Sequence, residues 1–170
     1  MDLSLGEIQM NNHEQFKKRL IGSRQALFRV AEWLHQYGYY IAIPPMKIRK
    51  ENEDPKDFFD DGDLFITKEG SPRKRIEAKG LSVKFTSAMD WPYGDPIVSN
   101  KAAVDRGIEE VEAYILVSSD MDHIAIIKTD TKEHWYVKEL IPKTTGRPEQ
   151  FYCCPIEYAV FKDISRKKEP

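Results

Sequence analysis

Two carboxylates and an ammonium are placed where they can converge: Asp63 precedes one apolar run, and Glu77 and Lys79 lie two residues apart on the next. Gly70, Ser71 and Pro72 separate residues 63–67 from 74–79, both of strand character, which predicts an antiparallel hairpin. A turn symmetric about Gly70 sets residue 64 against 76 and Asp63 against Glu77. Opposed residues on one face of such a pair have Cβ atoms roughly 4.5–5.5 Å apart, so two like charges there repel unless a cation sits between them. A divalent ion would remove the repulsion. Side chains alternate along a strand, so Glu77 and Lys79 share a face while Ile76 and Ala78 point into the core. A one-residue slip would put the two carboxylates on different faces.

The elements that must position these residues follow from patterning. Phe16, Leu20, Leu27, Ala31 and Leu34 fall on one helical stripe, widened by Ile21 and Phe28, which predicts a helix over 14–36 with a break possible at Gly22. Gly38 closes it, and residues 39–43 have β composition before Pro44 and Pro45. Residues 49–62 are polar and read as a loop leading into the hairpin. Lys84 to Pro96, rich in aromatics, Gly and Pro, reads as an irregular surface loop. A short helix over 99–110 is capped by Ser99 or Asn100; strands follow at 112–118 and 123–128, with a further element at 135–141. The order predicts an α/β domain: a mixed central β-sheet flanked by helices.

Length and composition agree. The 170 residues are the size of one domain, and 41% hydrophobic residues suffice for a core. The net charge of −2 argues against coating nucleic acid by bulk charge, yet 32% of residues are charged and basic ones cluster at 17–19, 73–75 and 166–168. Each cluster is either a solvated surface or a phosphate contact. The two cysteines, Cys153 and Cys154, are adjacent, which fits a reducing compartment better than a stapling disulfide. The first residues lack a basic start followed by an apolar run, and no stretch approaches the ~18 apolar residues of a membrane span. A soluble, cytoplasmic protein with no membrane partner is expected.

Gly62-Asp63 before an apolar strand, then Ile76, Glu77, Ala78 and Lys79 downstream of a helix, resembles the PD-(D/E)XK nuclease superfamily, whose restriction-endonuclease-like fold includes Holliday-junction resolvases. The resemblance covers residues 14–128, with 129–165 as a C-terminal decoration and 166–170 as a tail of a single domain. It implies an αβββαβ core and a Mg²⁺- or Mn²⁺-dependent endo- or exonuclease acting on nucleic acid, DNA rather than RNA. Asp63, Glu77 and the Ala78 backbone carbonyl would hold the ion, and Lys79 would orient or deprotonate the attacking water. The chemistry agrees, because hard cations take oxygen ligands and Mg²⁺ needs only one or two carboxylates.

Residue 62 is Gly where the family name has Pro. For the helical acid found in many members, Glu32 is the candidate, set against an ordinary surface carboxylate. Arg24 lies nearer an active-site position of resolvase-like helices, and Lys101 occupies a second helix that in related nucleases carries a polar residue. With Lys84 these are candidate nucleic-acid contacts. Trp91 and Tyr93 either stack on bases or pin their loop to the domain. The rival expectation is a nuclease-fold binding or assembly module without turnover. A duplex-cutting enzyme would also favour a symmetric homodimer.

Overall fold

A computed structural model describes residues 5–44, 64–107, 110–143 and 145–166, the first sixteen of these as backbone only. The chain opens with a long helix, α1 (Leu5–Gln36), followed by β1 (Tyr40–Ala42), β2 (Leu64–Thr67), β3 (Lys74–Gly80), β4 (Ile97–Asn100) and a one-turn-and-a-half helix, α2 (Lys101–Arg106). Next come β5 (Val111–Val117), β6 (His123–Lys128), β7 (Tyr136–Leu140), β8 (Glu149–Cys153) and β9 (Val160–Asp163). The strands form a mixed six-stranded sheet in the order β1-β2-β3-β5-β6-β9 and a three-stranded sheet in the order β4-β8-β7. Among the described residues, only the β3–β5 pair of the larger sheet is parallel.

One face of the larger sheet is covered by α1. Ala26, Leu27, Val30, Ala31 and Leu34 make a stripe at helical spacing and pack on Leu64, Ile66, Ile76, Ala78, Ala113, Ile115 and Val117. Ile21 and Phe28, expected to widen that stripe, are instead 57% and 58% exposed, because they project from the opposite side of the helix. Gly22 does not break α1, and it is Gly80 on β3 that lets helix and strand approach. A Cβ built on Gly80 would stand 3.1 Å from the Ala26 Cβ and 3.4 Å from the Gly22 carbonyl oxygen, so β3 lies against α1 at a point where the strand leaves no room for a larger side chain. The helix ends at Gly38, whose φ of +81° suits a left-handed C-terminal residue and whose N–H donates to the His35 carbonyl at 2.9 Å.

The other face is not covered by a helix, as expected, but by the three-stranded sheet and the loop after β3. Phe85, Trp91, Val98, Val111, Tyr114, Leu116, Ala125, Ile127, Trp135 and Cys154 form this second core. With apolar packing on both sides, β5 is a continuous apolar run rather than an alternating one. The small helix α2, capped by Asn100 Oδ1 accepting from the Ala102 and Ala103 amides, runs over only 101–106 and packs on β4 and β8. The segment expected to decorate the core supplies β9, hydrogen-bonded to β6, together with β8, which pairs with β4, and β7, which pairs with β8. Both cysteines are buried and free. Among the described residues, no helix is long and apolar enough to cross a membrane.

Candidate functional site

The β2–β3 hairpin turns at Gly70, with φ +74°, and is closed by the Ser71 amide donating to the Lys68 carbonyl at 3.0 Å. Its register pairs Leu64 with Ile76, Phe65 with Arg75 and Ile66 with Lys74. This is the register from which the pairing of Asp63 with Glu77 is expected; Asp63 itself lies outside the described residues. On β3, Ile76 and Ala78 are buried under α1, whereas Glu77 is half-buried and Lys79 exposed on the opposite face. The hairpin is also tied by charge. Arg73 lies over the Phe65 ring at 4.1 Å, and Lys74 bonds Glu112 at 2.7 Å.

Beside Glu77 stands a residue that the sequence reading left unremarked. The parallel register sets Glu77 against Tyr114 and Lys79 against Leu116. It shifts between Arg75 and Ile76, whose partners are Val111 and Ala113, so Glu112 is an extra residue in β5. This bulge puts Val111 and Tyr114, three apart, on one face, and it re-aims β5 next to the candidate site. Tyr114 is 5% exposed, and its ring meets Trp135 edge-on at 5.9 Å. Burial, with the Glu77 carboxylate as second cause, pushes its phenol up to about 12. It is a neutral hydroxyl throughout the physiological range. No local pattern marks Tyr114, since its importance rests on a strand pairing across an intervening helix.

The loop after β3 begins in register with β5: the Leu81 amide donates to the Val117 carbonyl at 2.8 Å, and the Phe85 amide donates to Ser118 Oγ at 3.0 Å. Lys84 is exposed. Trp91 is 8% exposed, with its ring edge-to-face with Phe85 at 4.9 Å and with Phe161 at 5.9 Å. Of the two roles weighed for it, the packing is that of an anchor for the loop, with the indole turned into the core. Tyr93, against the edge of Trp91, is 59% exposed.

The remaining candidates are dispersed. Arg24 is exposed on α1. Both Glu32 oxygens are engaged by guanidinium groups: Arg166 donates at 3.1 and 2.9 Å and Arg29 at 3.1 Å. The Arg166 hydrogen bond is the main cause holding the Glu32 carboxyl below its usual value. Glu32 belongs to the α1 layer, across the sheet from Glu77. Lys101 bonds Asp105 at 2.6 Å, which holds its ammonium above the usual range. Asp105 also accepts the Tyr152 hydroxyl at 2.9 Å, and Lys101 and Lys132 lie 5.8 and 5.4 Å from the Tyr152 ring centroid.

Among the described residues, no three His, Cys, Asp or Glu side chains converge as a metal-binding group. No protein-family model, curated protein or solved structure matches the chain.

Proposed function

We propose that this chain is a metal-dependent phosphodiesterase acting on nucleic acid, DNA rather than RNA. The observation that carries the reading is the arrangement on β3: Glu77 and Lys79 project together from one face while Ile76 and Ala78 anchor the strand on the other, beside a hairpin whose register starts at Leu64 opposite Ile76. The element order supports it. Helix α1, the antiparallel strands β1, β2 and β3, then α2 and β5, parallel to β3, follow the order of an αβββαβ core, with β4 of the smaller sheet inserted before α2.

The donors suit a hard cation. Glu77 offers a half-buried carboxylate, and the Ala78 carbonyl and Asp63 would complete an oxygen-only set for Mg²⁺ or Mn²⁺. Such an ion supplies a more acidic water and an offset for charge developing on the phosphate. Exposed Lys79, two residues along the same face, would orient the attacking water and add positive charge beside the scissile phosphate. Tyr114 walls the other side of Glu77 and limits water there.

The test is cleavage of plasmid, linear and single-stranded DNA and of RNA with Mg²⁺ or Mn²⁺, beside a chelator and the Glu77→Ala and Lys79→Ala variants. Metal-dependent cleavage, lost in both variants by on the order of 10²-fold or more, is expected. Lys79→Ala should still bind Mn²⁺ in a titration, whereas Glu77→Ala should not. Full activity in both variants, or activity indifferent to the chelator, would sink the reading.

A further inference from the structure

Met89 is 96% exposed, yet the loop that carries it is clamped. Asp90 accepts the Thr86 amide at 2.9 Å, the Ser87 amide at 2.7 Å and the Thr86 hydroxyl at 2.8 Å, and the Met89 amide donates to Ser87 Oγ at 3.2 Å. On either side of this tight tip, Phe85, 0% exposed, and Trp91 bury their rings against each other and against Phe161. A large apolar side chain is thus held out into solvent by a framework that it does not itself help to stabilise.

The position of this framework gives the side chain a use. Phe85 and Trp91 pack in the same core as Tyr114 and Leu116, the register partners of Glu77 and Lys79. The loop therefore rises from the site's own face of the sheet, at the carboxyl ends of parallel β3 and β5, with exposed Lys84 at its start. Crevices at the carboxyl ends of parallel strands are where open sheets bind ligands. Met is among the side chains that proteins insert between base steps, and its polarisable sulfur makes favourable contacts with aromatic rings. A loop whose backbone is already held in place loses little freedom on binding.

Resting on the nuclease reading, we propose that Met89 is a wedge entering the base stack of a duplex substrate next to the site, and that the preferred substrate is a duplex whose stack is already interrupted by a nick or mismatch. Unstacking costs least at such places, so the wedge selects for them. Lys84 contacts the adjoining phosphate, and exposed Tyr93 offers a ring to the displaced base.

Because Met89 lies outside the core, Met89→Ala should fold and melt as wild type does. The decisive measurement is binding, in chelator, of duplexes carrying 2-aminopurine beside a nick, a mismatch or an unbroken stack. Wild type should raise the fluorescence at the nick and mismatch and bind them roughly tenfold tighter than unbroken duplex. Met89→Ala should abolish both the rise and the preference, and Met89→Leu should restore them. If wild type cleaves DNA yet Met89→Ala keeps the fluorescence rise and the preference, the wedge is overturned and the nuclease reading stands. If wild type neither binds nor cleaves any DNA, both fall.

Discussion

Glu77 and Tyr114 are neighbours on adjacent parallel strands, one half-buried carboxylate beside one buried phenol on the same face of the sheet. Removing the Glu77 charge should lower the Tyr114 pKa from about 12 while burial keeps it above the ordinary 10.0. Phenolate absorbance in wild type, Glu77→Gln and Tyr114→Phe checks this. A folded-state pKa above the unfolded value means stability that is complete below pH 10 and lost as pH rises through 12. Alkaline melting should accordingly be less steep in Tyr114→Phe. An unshifted Tyr114 titration in Glu77→Gln would contradict the pairing.

Gly80 sets how closely β3 approaches α1. Gly80→Val must displace Ala26 and the Gly22 backbone, because the first added carbon already stands 3.1 Å from the Ala26 Cβ. Overpacking of this kind should cost roughly 1–3 kcal/mol, read as a lowered denaturant midpoint. The same substitution should reduce the proposed cleavage activity, since β3 carries Glu77 and Lys79.

Arg29, 7% exposed, joins distant segments. Its guanidinium donates to the Met121 carbonyl at 2.9 Å, to the Ile164 carbonyl and to Glu32, holding the β5–β6 turn and the end of β9 against α1. Met121, at φ +61°, is the one non-glycine residue with positive φ among the described residues. Arg29→Ala should leave buried carbonyls without donors and cost about 3 kcal/mol in denaturant unfolding. Arg166→Ala, which removes only an exposed partner of Glu32, should cost less than about 1 kcal/mol.

Asp90 ties the loop that presents Met89. Hydrogen bonds from the Thr86 and Ser87 amides and hydroxyls bring its pKa from 3.8 to about 2. A depressed carboxylate pKa adds stability that is complete above pH 3.8 and lost as pH falls through 2. Asp90→Ala should therefore melt below wild type at neutral pH, with the gap closing in that acid window. Proteolysis at 84–96 should also accelerate in the variant at neutral pH. A gap that persists below pH 2 would count against the Asp90 carboxylate as the loop's clamp.

What the residue order determined by itself was local. The helical stripe at Leu27, Ala31 and Leu34, the Gly38 stop, the hairpin turn at Gly70 and the opposition of Ile76 and Ala78 to Glu77 and Lys79 all follow from short-range periodicity and backbone preference. The strand His123–Lys128 was legible for the same reason. Tertiary structure decided everything that joins distant segments. It set Tyr114 beside Glu77 through a parallel pairing with a bulge at Glu112, bound Glu32 to Arg166 across 134 positions, and turned Trp91 into the core. It also covered the second face with β4, β8 and β7 instead of a helix. Such pairings depend on which of several apolar surfaces fit one another with their polar atoms satisfied, a comparison between whole arrangements that local propensities do not contain.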